Sequence, residues 1–360
     1  MVLSKKVLLI TSLSLIFSIY GFFLTGYFID LTIEGDTMKY IGLWNNLEKF
    51  QLDSIGKICC NRNSLVAINA ENIGSFQLIY PLFVNYFSKI INFQQFASVT
   101  SGIYSFLLSF VFLYKKKFSL RLLFIIPIFL GIYTFGIYSV LDRLKISLIF
   151  YLFALMPNLD KKIRNLLLFF SIFTHSSILL ISVPTLVKIN FSPGKSPLMS
   201  YLSTRFKIIK LSRLSLSNFL LSILIISFFI LIFNLTFDKF EAWLPVILNY
   251  FNLKNILLIL ERSIDVLFTF ILMYPNFKYN QYPKLIHILS ILPIVLTTFL
   301  IGGFRTLILT YLYFAVSNWQ PTKKSNFSYL QTLFFILMTI NCIRNGSLFI
   351  SKLQLTGFGY

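Results

Sequence analysis

Acidic residues are scarce in this chain, which has 12 Asp and Glu against 32 Lys and Arg in 360 residues. Only 12% of its residues carry charge, whereas soluble domains carry about 25%. A soluble fold needs polar residues at its surface, and 57% of these residues are hydrophobic. The composition therefore excludes an ordinary soluble protein and predicts an all-α, polytopic transmembrane helical bundle.

Cysteine and metal-ligand patterns are also sparse. Cys59 and Cys60 are adjacent, Cys342 lies in an apolar run, and no CxxC or Cys/His spacing is present. Neither Asp36 nor Asp142 is followed by a second acidic residue two positions later, so a DxD motif is missing. This disfavours a metal-dependent nucleotide-sugar transferase, and we expect neither a metal nor a cofactor.

The net charge of +20 does not indicate nucleic-acid binding. The Lys and Arg residues form short clusters between apolar runs, whereas a nucleic-acid-binding domain carries them on one face. Cytoplasmic loops of membrane proteins have this basic excess, so we expect the clusters to face the cytoplasm. They are residues 115–117, 161–164, 195–213 and 323–324.

Long apolar runs predict about nine or ten membrane spans. The first run, 7–29, follows Lys5 and Lys6 and would extend about 34 Å as a helix, enough for a bilayer core. No small-x-small cleavage site follows it, so we interpret it as an uncleaved span with a cytoplasmic N-terminus. Further candidate spans are 96–114, 121–141, 144–159, 218–237, 255–274, 285–304, 305–317 and 328–343.

Two apolar segments do not fit the alternation of spans. We interpret 76–93 as an interfacial helix on the outer face and 165–187 as a re-entrant hairpin that turns near His175. The basic loop 188–217 is then cytoplasmic, and the loop 30–75 lies outside the cytoplasm. We treat 1–360 as a single membrane domain, because no internal repeat is visible. The outer loop contains Glu34, Asp36, Glu48, Asp53 and Glu71.

Three arginines lie in or beside apolar runs, where a charge costs roughly 2.5–3.5 kcal/mol. Guanidinium groups that meet in one cavity would match phosphate oxygens bidentately. Each arginine also has a structural alternative. Arg143 would pair with Asp142 in a hairpin loop, Arg262 with Asp265 on one helix, and Arg305 would extend to the membrane surface.

His175 is the ionisable residue of a further apolar run. Either it has a chemical role or neighbouring helices satisfy it as a buried polar side chain. The other histidine, His287, lies at a predicted cytoplasmic helix end and is given no role. The run around His175 also contains four hydroxyl side chains: Ser171, Thr174, Ser176 and Ser177.

Two short motifs occur one after the other in the first third of the chain. The first span leads into Asp36-Thr-Met-Lys-Tyr40, which is similar to a D-x-x-x-Y motif. Glu71 then precedes the aromatic-rich segment 76–93, like an acidic residue before an F/P-rich helix.

Two further motifs follow. Arg143 opens a predicted span and precedes an apolar helix that carries His175, and Arg305 precedes a span rich in tyrosine. In their order and spacing, over most of the chain, the four motifs resemble the EpsG and Wzy-type polysaccharide polymerases. Each motif is short, and none is specific alone.

The resemblance implies a reaction and a set of roles. Such enzymes sit in the plasma (inner) membrane and move a glycan from undecaprenyl diphosphate to a hydroxyl of another lipid-linked repeat unit, outside the cytoplasm. The partners would be lipid-linked oligosaccharides, membrane lipids and a chain-length regulator protein. The implied site residues are Arg143, Arg262 and Arg305 for the diphosphate, His175 or Asp36 as the base, and Tyr40 and Glu71 for the acceptor sugar.

Two other functions stay open on the sequence. A ligase or single-sugar transferase would use the same lipid-diphosphate donor with a different acceptor. A transporter or flippase would be expected to show inverted repeats, and we see no similarity between the two halves.

Overall fold

The computed structural model describes the chain in separate ranges. They are residues 5–31, 36–52, 57–58, 64–73, 79–114, 137, 141–157, 159–191, 256–274, 281–300, 304–318, 329–341 and 343–344. These residues are helical or lie in turns, and no strand is found among them. The all-α part of the prediction is confirmed. The chain divides into two compact units, one of Met1–Ser182 with Tyr311–Tyr360 and one of Val183–Thr310.

The helices follow one another as a series of long and short elements. The first unit contains α1 (Lys5–Leu31), α2 (Asp36–Glu48), α3 (Leu65–Ile73), α4 (Ile79–Phe87), α5 (Phe93–Tyr114), α6 (Asp142–Ala154), α7 (Lys161–Thr174) and a 3₁₀ turn (Ser176–Ile178). Next come α8 (Leu179–Phe191), α9 (Ile256–Met273), α10 (Gln281–Leu300), α11 (Phe304–Tyr313), a π-helical turn (Phe314–Asn318) and α12 (Tyr329–Asn341).

Within the described ranges, two helices are long and apolar enough to cross a membrane. They are Lys6–Tyr27 of α1, with a mean hydropathy of 2.2, and α5, with a mean hydropathy of 1.8. Both coincide with predicted spans, 7–29 and 96–114. The predicted helices 255–274 and 285–304 appear as α9 and α10.

The remaining predicted spans have mixed outcomes. Segment 144–159 appears as α6, which ends early at Ala154. Segments 305–317 and 328–343 correspond to α11 with its π-helical turn and to α12. The span 218–237, the span 121–141 apart from residues 137 and 141, and the part of the basic loop beyond residue 191 lie outside the described residues.

Small residues allow α1 and α5 to pack closely. The helices are antiparallel, with Gln94 Nε2 donating to the Gly26 carbonyl at 3.4 Å. A Cβ on Gly21 would overlap the Ser105 side chain, and a Cβ on Gly102 would lie 3.3 Å from Ser18 Oγ. Close backbone approach through small residues is typical of helix pairs in membranes.

The predicted outer loop 30–75 contains two helices, α2 and α3, and its position outside the cytoplasm stays a prediction. In α2 the buried residues Tyr40, Leu43, Trp44 and Leu47 recur at helical spacing. This apolar face packs in one core with residues from α3, α4, α5 and α6. The polar residues that suggested a loop are the outer face of an amphipathic helix.

The predicted helix 76–93 is interrupted. α4 ends at Phe87 and a turn leads to Asn92, which opens α5. Asn92 and Gln95 form a reciprocal capping box, because each side chain accepts from the other's backbone N–H. Within α4, the Asn85 amide donates to the carbonyls of Leu47 and Phe50 at 2.9 Å each and so satisfies the end of α2.

An antiparallel hairpin of α6 and α7 completes the part of the fold that positions the site. Ser147 and Ser171 exchange hydrogen bonds, each hydroxyl donating to the other's carbonyl at 2.5 and 2.7 Å. Arg164 Nε donates to the Ala154 carbonyl at 3.0 Å, and Asp160 caps α7. α7 ends at Thr174, at the predicted break in 165–187, although the re-entrant course itself stays a prediction.

Candidate functional site

Three charged residues are buried together in the first turn of α6. Asp142, Arg143 and Lys145 are all less than a tenth exposed, and they lie where α6 meets residues of α2, α4 and α5. Buried ionisable groups are costly unless they are paired or serve a ligand. The partners of each group therefore indicate its role.

Three protein oxygens surround the ammonium group of Lys145. Its Nζ lies 2.8 Å from Asp142 Oδ1, and it donates to the Ala97 carbonyl at 3.1 Å and to Ser101 Oγ at 3.0 Å. The ammonium group therefore has two hydrogen-bond acceptors on α5 and a carboxylate oxygen in an ion pair, all within 3.1 Å. Lys145 thus fixes α6 to α5 and neutralises Asp142.

Each carboxylate oxygen of Asp142 contacts a different side chain. Tyr80 donates its hydroxyl to Asp142 Oδ2 at 3.0 Å, while Lys145 lies at Oδ1. Burial raises the pKa of Tyr80, and the neighbouring Asp142 carboxylate raises this pKa further, so Tyr80 remains a protonated donor. In the described structure the carboxylate therefore pairs with Lys145, and not with Arg143 as in the hairpin-loop alternative.

Arg143 has no carboxylate partner among the residues that the structure describes. Its Nε donates to the Tyr40 hydroxyl at a long 3.5 Å, and the Tyr40 and Tyr80 rings meet edge to face with centroids 5.8 Å apart. Since Asp142 and Lys145 neutralise each other, the cluster carries one net positive charge on a buried guanidinium. Such a group can bind an anionic oxygen, and phosphate fits its fork.

His175 lies at the same end of the α6–α7 hairpin as Arg143. The two helices are antiparallel and Ser147 faces Ser171, so one further turn of each helix places His175 level with Arg143. His175 is buried in extended backbone, and the 3₁₀ turn that follows it contacts α6. The structure therefore brings His175, Arg143 and Tyr40 to one region of the first unit.

The other predicted site residues are placed less fully. Asp36 opens α2 one turn before Tyr40, with its side chain outside the described part. Glu71 is exposed on α3. Arg262 in α9 and Arg305 in α11 belong to the unit Val183–Thr310, and their side chains also lie outside the described part. That three arginines meet in one cavity stays a prediction.

Sequence reasoning missed the roles of Lys145 and Tyr80. The spacing of Asp142 and Lys145, three residues apart on a helix, was a usable sign of their pairing. No pattern pointed to Tyr80, because it lies 62 residues from Asp142 along the chain. The described residues contain no group of three His, Cys, Asp or Glu side chains suited to a metal ion.

Among the residues that the structure describes, fold and site define a helical protein with two candidate membrane spans and a buried guanidinium that has no carboxylate partner there. Comparison of the chain with models of protein families, with curated proteins and with solved structures finds no match. Function is therefore inferred from these residues and from the motifs that contain them.

Proposed function

We propose that this chain is a polytopic glycosyltransferase of the plasma membrane. It joins undecaprenyl-diphosphate-linked repeat units into a surface polysaccharide on the outer side, without a metal ion, and its N-terminus is cytoplasmic. The observation that carries the proposal is the buried Arg143 guanidinium, which contacts Tyr40 and lacks a carboxylate partner in the described residues. Both residues belong to motifs that resemble the EpsG and Wzy-type polymerases.

Apolar residues on the outer faces of the helices support a membrane location beyond α1 and α5. Soluble monomers rarely expose large contiguous apolar patches, whereas lipid covers such faces in a membrane. Along α7 and α12 the exposed large residues follow helical spacing, so each helix presents a continuous apolar stripe. These residues are Ile163, Leu166, Phe169 and Phe173 in α7, and Leu330, Leu333, Leu337 and Ile340 in α12.

The proposed reaction breaks the bond to a leaving group and forms a bond to a nucleophile. The bond from the anomeric carbon to the diphosphate oxygen breaks, and its electron pair stays on the diphosphate. Arg143 stabilises that charge, with Arg262 and Arg305 as the further arginines of the diphosphate site. The acceptor hydroxyl forms the new bond to the anomeric carbon and gives its proton to a base, for which His175 and Asp36 are the candidates.

Substrate placement is the second part of the proposal. Tyr40, adjacent to Arg143, and Glu71 would contact the acceptor sugar. Because both substrates are lipid-linked, holding them in one cleft lowers the barrier by orientation. A separate chain-length regulator protein would act on the length of the product.

The test is glycan synthesis by the purified chain in liposomes that contain undecaprenyl-diphosphate-linked repeat units. A ladder of products longer than two repeats, unchanged by EDTA, supports the polymerase. A single transfer to another acceptor identifies the ligase or transferase, and movement of the lipid without bond formation identifies a flippase. Arg143→Ala should abolish the ladder, while Lys162→Ala, at an exposed cation, should leave it intact. Long products from Arg143→Ala would refute the diphosphate role.

A further inference from the structure

Two contacts with Ser177 indicate which ring nitrogen of His175 accepts a hydrogen bond. Its Nδ1 lies 3.3 Å from the Ser177 backbone nitrogen and 2.7 Å from Ser177 Oγ. A backbone N–H can only donate, so Nδ1 must carry the lone pair that accepts. The Ser177 hydroxyl is then a second donor to the same nitrogen.

A neutral imidazole with an accepting Nδ1 carries its proton on Nε2. This tautomer presents an N–H donor on the side of the ring away from Ser177. It has no lone pair there with which to accept a proton from a sugar hydroxyl. The geometry of Ser177 therefore conflicts with a base role for Nε2 and suits a role as a hydrogen-bond donor.

The local backbone fixes this arrangement. His175 is extended, with φ −152° and ψ 114°, between the end of α7 and the 3₁₀ turn. The His175 N–H bonds the Ser171 carbonyl, and the Ile178 N–H bonds the His175 carbonyl. The backbone of His175 is thus held two residues before Ser177, and the 3₁₀ turn that follows it contacts α6.

We infer that Ser177 holds His175 as the Nε2–H tautomer, and that His175 donates from Nε2 to the departing diphosphate instead of acting as the base. This inference rests on the proposed function and refines the roles within it. When the anomeric bond breaks, the electron pair stays on the phosphate oxygen, which Arg143 and the Nε2–H of His175 stabilise without proton transfer. The proton of the acceptor hydroxyl goes to Asp36, the other candidate base.

The first test reads the tautomer directly in the wild-type protein. The chain contains 2 histidines, so solid-state NMR of ring-¹⁵N-histidine protein in liposomes gives two sets of signals, and a His287→Gln variant assigns them. We expect the unprotonated nitrogen of His175 to be Nδ1. A proton on Nδ1, in either a neutral or a doubly protonated ring, overturns the inference.

The second test measures the contact with the anion. Undecaprenyl diphosphate is added to the same labelled liposomes, and ¹⁵N–³¹P dipolar dephasing is recorded. We expect the Nε2 signal of His175 to dephase more than the Nδ1 signal. No dephasing at Nε2 at saturating lipid, with binding verified by the ³¹P signal, overturns the donor role.

The third test compares two amide replacements. In His175→Asn the amide oxygen can still accept from Ser177, while a group at the position of Nε2 is lost. In His175→Gln the amide NH₂ reaches the position of Nε2. Loss of one oxyanion donor costs about 100-fold in rate, so we expect His175→Asn to lose about that much and His175→Gln to be at least about tenfold faster than His175→Asn. Equal rates of the two folded variants contradict the donor role.

Failure of the inference is distinguishable from failure of the proposed function. If wild-type protein makes no glycan product from any lipid-linked donor, the proposed function is wrong, whatever the NMR signals show. If it makes polymer but Nδ1 carries the proton, the proposed function stands and the donor role of His175 is wrong.

Discussion

Lys145 Nζ lies 2.8 Å from Asp142 Oδ1 in the first turn of α6, and the two side chains are only 1% and 6% exposed. This pair explains why Arg143, which lies between the two in the chain, has no carboxylate partner among the described residues. A buried carboxylate next to an arginine would ordinarily pair with it. Because Lys145 and Tyr80 occupy both oxygens of Asp142, this carboxylate does not pair with the guanidinium.

The Asp142–Lys145 pair should be essential for stability. In Asp142→Asn the buried Lys145 loses its counter-ion, and removal of one partner of a buried pair costs about 3–5 kcal/mol. We expect a large decrease in the free energy of unfolding of the detergent-solubilised protein, measured by denaturant titration.

A double variant tests whether the unpaired charge of Lys145, and not the altered side chain at position 142, causes the destabilisation. Lys145→Met with Asp142→Asn removes both charges, so it should be clearly more stable than Asp142→Asn alone. Asp160→Asn changes an exposed carboxylate at the cap of α7, where Asn also caps well, and should have little effect. If Asp160→Asn and Asp142→Asn were equally destabilising, burial of the ion pair would not be the cause.

Arg143 should matter for activity far more than for stability. Its replacement by Ala leaves no carboxylate unpaired among the described residues, so we expect a much smaller stability loss than for Asp142→Asn. The rate of glycan transfer should fall about 100-fold or more, since a donor to the developing charge is lost. Arg143→Lys should not restore it, because an ammonium group lacks the planar fork.

Tyr40 provides a check on this role. The Tyr40 hydroxyl accepts from Arg143 Nε at 3.5 Å, so Tyr40→Phe should reduce the rate, and its effect should be smaller when Arg143 is already Ala. Strictly additive effects of the two substitutions on the transfer rate would show that the residues act independently.

Long apolar runs made much of the described fold predictable. The lengths of α1 and α5 follow from hydropathy, and the break at His175 follows from a polar interruption. The helix α2 was missed because its polar face resembles a loop until the spacing of Tyr40 and Trp44 is matched to a core. That core consists of residues distant in sequence, which no local pattern reveals.

The site was predictable only in part, for a related reason. Arg143, Tyr40 and His175 were all predicted as site residues from short motifs. Asp142 pairs with Lys145 and not with Arg143 because two oxygens on α5 also bind the Lys145 ammonium group. They are the Ala97 carbonyl and the Ser101 hydroxyl. A helix contact of this kind depends on tertiary structure. From the sequence alone, an Asp142–Arg143 pair was therefore as reasonable as an Asp142–Lys145 pair.

The contact between α1 and α5 should be sensitive to single methyl groups. Gly21→Ala places a Cβ onto the Ser105 hydroxyl and 2.9 Å from the Ser101 backbone carbonyl oxygen, which cannot rotate away. The helices must therefore separate, and we expect a lower melting temperature in detergent. Gly26→Ala on the same helix is the matched control, because its Cβ would lie 3.6 Å from Ser98 Oγ, an ordinary contact. Equal melting temperatures for the two variants would contradict the close packing at Gly21.

Membrane orientation should be readable from cysteine labelling. In a background with the three native cysteines replaced by serine, Asn45→Cys lies on the exposed face of α2, in the segment that we expect outside the cytoplasm. Lys115→Cys lies in a basic cluster that we expect on the cytoplasmic side. A membrane-impermeant maleimide added to intact cells should therefore label residue 45 and leave residue 115 unlabelled until the membrane is opened. The reverse pattern would place the Tyr40–Arg143 site on the cytoplasmic side, where a polymerase acting on the outer face would not carry out its transfer.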